Sequence, residues 1–182
     1  MVGPNYEQPE DFGYDFTTWV SPYTKSANAL GGFAFVLQDW ASADGLKGAI
    51  DPDIQAYGRK PELLTNERFD MLLKTVLGIC VSNVYITNAF PFVKSGGMSS
   101  AIPKRDVRSA VCHFAIKELK IVQPTFIFSL GSVAFSALEH CGVKSIKLPH
   151  PAARIGTDAN HALAWRNALE KTDIRVLPKA AA

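Results

Sequence analysis

No apolar stretch in the chain approaches the roughly 20 residues that a membrane-spanning helix requires, so no membrane association is expected. Cysteine is scarce, with only Cys80, Cys112 and Cys141 among 182 residues. They are far apart, form no CxxC pair and show no Cys/His ligand spacing, which argues against a zinc site or an iron–sulfur cluster. An odd count argues against a disulfide framework as well. Three buried, reduced thiols in a cytoplasmic protein are expected. The opening MVGPNYEQPEDFGYDF is acidic and polar, unlike a secretory signal. Neither GxGxxG nor GxxxxGK[ST] occurs, so the usual dinucleotide and nucleotide phosphate loops are missing. No internal repeat is present.

Excess charge is lacking too, since the net is +2. Its distribution is uneven. Residues 1–58 hold Lys25 and Lys47 against eight acids, whereas 59–120 hold ten Lys/Arg against five. Such a chain either presents a local phosphate-facing patch or has a mixed solvated surface, and charge alone does not choose.

What is present is an alternation of strand and helix patterns. Phe33–Leu37, Val84–Thr87, Thr125–Leu130 and Ser145–Leu148 read as short buried strands. Helices are expected from an N-cap at Thr65 or Asn66 through Cys80, from an Asp106 cap to Pro124, from Gly131-Ser132 to His140, and over about 158–171. In the second, Val107, Ala110, Val111, Phe114 and Leu119 make the buried stripe. Residues 41–64, punctuated by Gly and Pro, read as loop. Residues 1–30 read as an arm with one short helix near Phe16–Val20, and 176–182 as a tail. The pattern predicts one α/β domain over 1–182, a three-layer α/β/α fold on a central, mostly parallel four-stranded sheet.

In open parallel sheets ligands bind beyond the carboxyl ends of the strands. The predicted strands end in Gln38-Asp39, Asn88, Gly131-Ser132 and His150. A carboxylate, an amide, a helix N-terminus and an imidazole thus converge on one edge. Each also has an ordinary reading: Asp39 a cap, Asn88 a turn residue, His150 a loop histidine between prolines, Gly131-Ser132 a plain strand-to-helix turn. His113, His140 and His161 fall in predicted helices and read as structural or exposed.

These segments resemble the uracil-DNA glycosylase superfamily. VLQDW looks like the family's water-activating motif, VYITN like its uracil-reading strand, PTFIFSLGSVAFSAL like its strand–Gly-Ser–helix segment and LPHPAAR like its His-Pro-Ser loop. The resemblance runs in order over roughly 33–155. It implies that Asp39 positions water and stabilises an oxocarbenium-like sugar, and that His150 stabilises the departing uracil anion. It further implies that Asn88 reads the base, with Gln38 hydrogen-bonding near it. Tyr57, or less fittingly Phe69, would stack on the flipped base. Gly131, Ser132, Arg154 and Lys60 would contact DNA. No metal or cofactor is implied, and no lysine occupies a matched position, so neither a Schiff base nor strand cleavage is expected. Uracil-containing DNA as substrate, free uracil as product and a monomeric state complete the expectation.

Three departures qualify it. Trp40-Ala41 replaces Pro-Tyr, so Ala41 leaves the C5 edge of the base open to thymine. Ala152 replaces the loop serine and cannot make its phosphate contact, while Arg154 falls near the wedge position. The four cysteines of the iron–sulfur members are missing. Rival readings are a non-catalytic nucleic-acid or nucleoside-binding module on the same fold and, last, an unrelated doubly wound enzyme acting on a small nucleotide.

Overall fold

A computed structural model of the chain describes residues 6–172. The tail 176–182 and the first residues of the arm lie outside them. Strands β1 (Phe33–Asp39), β2 (Val84–Phe90), β3 (Phe126–Leu130) and β4 (Ile146–Leu148) form one sheet in the order β2-β1-β3-β4. Every pairing is parallel. A parallel sheet is covered on both faces, which is why its strands are almost continuously apolar; all of β2 is buried.

The helices are α1 (Ala43–Leu46), α2 (Pro52–Tyr57), α3 (Leu64–Leu72), α4 (Lys104–Ala110), α5 (Ile116–Val122), α6 (Ser132–His140) and α7 (Asp158–Leu169). A π turn over Leu73–Leu77 extends α3, and another over Val111–Ala115 joins α4 to α5. On one sheet face Phe69, Leu72 and Val76 from α3 and Trp165 and Leu169 from α7 pack on Phe35, Ile86 and Phe128. On the other, Val107, Val111 and Leu119 from α4–α5 and Ala134 and Leu138 from α6 pack on Ala34, Val36 and Tyr85. The fold is therefore three-layer α/β/α. The chain reverses its direction of travel across the sheet at β1, which has β2 on one side and β3 on the other. The crevice at such a switch point is where ligands bind, and β1 ends there with Asp39.

Several local expectations are corrected. Residues 16–20 form a turn; the arm instead has 3₁₀ turns at Pro9–Phe12 and Pro22–Lys25, each started by a proline whose fixed φ suits that position. The arm is bound down, with Tyr14, Phe16, Tyr23 and Ala27 buried and Asn28 bridged to Tyr85. The stretch 41–64 contains α1 and α2. Helix α3 starts at Leu64, before Thr65 and Asn66, because the Asn66 amide donates to the Lys60 carbonyl (2.7 Å) and closes the preceding loop. Helix α4 starts at Lys104 after Pro103, and Asp106 lies buried in its first turn, accepting from the Tyr6 hydroxyl at 2.8 Å. Phe114 is only partly buried, packed between Trp19 and Phe92.

The cysteine expectation fails. Cys112 and Cys141 form a disulfide that ties the α4–α5 turn to the end of α6, and Cys80 is exposed. Their separation of 29 residues hid the pairing, which follows from α4 and α6 lying side by side. Among the described residues no helix is long and apolar enough to cross a membrane.

Candidate active site

Strand alternation sends Phe35, Leu37 and Asp39 to one face of β1 and Val36 and Gln38 to the other. The turn beyond β1 then lets the Gln38 amide fold back and donate to Asp39 Oδ2 (2.9 Å). The other carboxylate oxygen, Oδ1, is 3.1 Å from Lys94 Nζ, which also donates to the Met98 carbonyl at 2.6 Å. Both side chains are largely hidden from water, Lys94 at 6% and Asp39 at 12% exposure.

Lys94 is the functional candidate that sequence reasoning missed. A short bridge holds its backbone: Lys94 N–H donates to the Ala41 carbonyl and Ala43 N–H to the Lys94 carbonyl. The available signal was its place directly after the apolar run from Ala89 to Val93. A lone cation there needs a partner if it is buried.

His150 follows β4. Its Nδ1 accepts the Ala152 N–H at 3.1 Å, so the ring proton resides on Nε2. Burial lowers its pKa below the usual histidine value, with Asp39 opposing and His161 assisting. The imidazole is thus neutral at pH 7, with an N–H donor. Its loop is fastened on both sides. Trp165 Nε1 donates to the Pro149 carbonyl (2.9 Å), and Arg68, itself paired with Asp158, donates to the Pro151 carbonyl (2.8 Å). Gly131 stands behind it with φ +87°, where a Cβ would meet His150 Cβ at 3.5 Å.

Asp39, Gln38, Lys94 and His150 line one cleft of about 240 Å³ with Tyr23, Leu37, Trp40, Ala152 and others. That volume is below the roughly 300 Å³ typical of drug-sized pockets and suits a single ring system. Tyr23 is buried, and burial, with Asp39 adding and Arg59 opposing, pushes its pKa to about 12, so it stays protonated. Trp40 donates to the Gly58 carbonyl at 2.8 Å.

Asn88 is fully buried on β2, in register with Leu37 and on the same face as Leu37 and Asp39. Its Nδ2 donates weakly to Ser21 Oγ (3.4 Å), and its Oδ1 has no hydrogen-bond partner among the described residues. Ser21 is itself held by its N–H on Glu118 (2.8 Å), a carboxylate that also accepts from Tyr85 and Thr87. Burial raises the Glu118 pKa, and these three donors oppose the rise. Asn88 does not itself line the cleft; it adjoins Leu37, which does, and Ser21, two residues before Tyr23.

Other expected site residues lie elsewhere. Tyr57 is 47% exposed at the end of α2 and outside the cleft; the cleft aromatics are Tyr23 and Trp40. Phe69 is in the core. Ala41 packs against the cluster that holds Tyr14, Phe16 and Leu46 and is not among the residues lining the cleft; its carbonyl accepts the Lys94 N–H. Lys60 is paired with Asp51 at 2.6 Å. Arg154 is exposed past the His150 loop, and Ser132 is exposed where α6 begins, beside a hollow it shares with Lys104 and Arg108. Among the described residues no group of His, Cys, Asp and Glu is arranged to hold a metal ion.

The arrangement offers an anion and a neutral N–H donor facing a small hollow, with an unpaired amide oxygen nearby. That set can stabilise positive charge on one part of a ligand and negative charge on another. A family model described as the uracil DNA glycosylase superfamily matches residues 29–171. No curated protein matches the chain.

Proposed function

Since this chain belongs to the uracil DNA glycosylase superfamily, we propose that it hydrolyses the N-glycosidic bond of deoxyuridine in DNA, releasing free uracil for base excision repair. Membership carries a DNA glycosylase type of function in general; uracil is the finer reading. The observation that supports it most is Asp39 and a neutral, Nε2-protonated His150 lining one cleft.

The bond breaks through a sugar with oxocarbenium character and a base leaving as an anion. Asp39 stabilises the first and orients the attacking water, each of its oxygens retaining acceptor capacity beyond the Gln38 and Lys94 contacts. His150 Nε2–H donates to uracil O2 as negative charge develops there. A neutral donor suits this task, because it stabilises the anion without protonating it outright. The unpaired Asn88 Oδ1 would accept uracil N3–H while Nδ2 turns from Ser21 to O4. Cytosine presents the opposite pattern at both atoms and is rejected. Tyr23 or Trp40, rather than Tyr57, would stack on the base.

The test is one incubation with a labelled uracil oligonucleotide followed by alkali. Asp39→Asn and His150→Ala should each slow single-turnover release by roughly 100-fold or more; wild-type rates in both variants would refute the assignment. Parallel lanes with thymine mismatches read the C5 edge, which Ala41 does not guard. A binding module is the second reading, favoured by the engagement of both Asp39 oxygens. Uracil-DNA binding without release by wild type would select it.

A further inference from the structure

We propose that Lys94 is a nucleophile: it condenses with the abasic deoxyribose left after base removal, forming a covalent imine with the DNA. The inference rests on the reading above only in placing C1′ of the sugar beside Asp39. Three observations carry it. Lys94 is the only amine among the described residues that line the cleft. Its Nζ is 3.1 Å from Asp39 Oδ1, so any carbon that Asp39 stabilises from that side lies within reach of the amine. Its remaining contact is a single backbone carbonyl, Met98 O, rather than a second carboxylate. Its side chain can therefore swing toward a ligand without leaving a second buried anion unpaired.

The chemistry closes without an outside reagent. The abasic sugar opens from hemiacetal to aldehyde. The Lys94 ammonium passes one proton to the Asp39 carboxylate, and the freed lone pair forms the N–C1′ bond while the carbonyl π pair moves to oxygen. That oxygen takes the proton back from Asp39. The resulting hydroxyl leaves as water, taking up the second nitrogen proton, and the nitrogen lone pair closes the C=N bond. The third proton stays on nitrogen, so the imine forms already protonated and Asp39 is again a carboxylate. Overall, one ammonium and one aldehyde give one protonated imine and one water, with no change in oxidation state. The imine acidifies C2′–H. Transfer of that proton to the Asp39 carboxylate forms the C2′–C3′ double bond as the C3′–O bond breaks, its electron pair leaving with the 3′ phosphate, and Asp39 then releases the proton to water. Water then hydrolyses the imine and restores Lys94.

The experiment uses a duplex carrying a pre-formed abasic site, so that base removal is not required, with sodium borohydride to reduce the imine to a stable amine. Wild type should give a slow-migrating protein–DNA adduct, with the modified peptide containing Lys94. The adduct should be lost in Lys94→Arg, which keeps the ion pair with Asp39 but cannot condense with the aldehyde. Absence of an adduct with wild type, mapping to a different lysine, or wild-type adduct levels in a folded Lys94→Arg protein would each overturn the proposal. The peptide map reads wild type alone and decides the matter if the variant does not fold. Uracil release measured separately keeps the two readings apart: release without trapping removes only the lysine, and trapping without release removes only the glycosylase.

Discussion

The protonation state of His150 is set by one backbone contact. The Ala152 N–H points at Nδ1, so a proton added there would face a donor and break the bond. Burial acts in the same direction and holds the pKa below its usual value near 6.5. Neutral imidazole is the working form in this account. Single-turnover release of uracil should therefore be flat from pH 8 to pH 7 and fall on acidification below the ordinary histidine range. A profile that rises on acidification through that range would show the imidazolium to be the working form. At this scale the sequence was informative where a polar residue ends or follows an apolar strand, as with Asp39 and His150, which share the cleft; Asn88 lies inside β2, two residues before its end, and outside the cleft. It was uninformative where a contact depends on two loops meeting. Lys94 reaches Asp39 only because residues 42 and 94 form a bridge, and Tyr23 enters the cleft only because the arm folds back over the sheet, which no local pattern announces.

At the scale of elements, the site is assembled by contacts from outside it. The arm crosses α2 at Gly58, where φ is +70° and a Cβ would lie 1.7 Å from the Pro22 carbonyl oxygen. Gly58 also accepts the Trp40 indole N–H. Gly58→Ala must move the arm, and Tyr23 and Trp40 with it. A loss of about 1–3 kcal/mol in urea unfolding is expected, together with weakened uracil release; unchanged values for both would show that the arm does not shape the cleft. Trp165 does similar work from α7, stacking on Phe35 and holding Pro149. Trp165→Phe keeps a ring but removes the donor, leaving the Pro149 carbonyl without its bond. About 1–3 kcal/mol of stability should go, with slower release as the His150 loop loosens. Strands and helix stripes were legible here because a period of 2 or 3.6 survives in the sequence. The starts of α6 at Ser132 and α7 at Asp158 were legible too. Those of α3 and α4 were not: Asn66 and Asp106 have the chemistry of caps, but they bond to the Lys60 carbonyl and the Tyr6 hydroxyl, partners that no local pattern reveals.

For the whole molecule, the Cys112–Cys141 link closes a 29-residue separation and restricts the unfolded chain. Loop-closure entropy places its contribution at about 3.6 kcal/mol. Oxidised wild type should melt roughly 7–14 °C above Cys112→Ser, and reductant should abolish the difference; equal melting points without reductant would mean the link contributes nothing. The layered α/β/α fold was legible because strands alternate with helices, whereas the link was not, because it depends on which helices become neighbours. The largest claim concerns how distant segments meet: the ends of β1, β2 and β4 surround one pyrimidine. The most direct measurement is a crystal structure of the Asp39→Asn variant with an uncleaved uracil oligonucleotide. The account predicts a flipped uracil with N3 about 2.9 Å from Asn88 Oδ1 and O2 at a similar distance from His150 Nε2. A base seated elsewhere, with Asn88 still on Ser21 and His150 touching no part of the uracil, would contradict it.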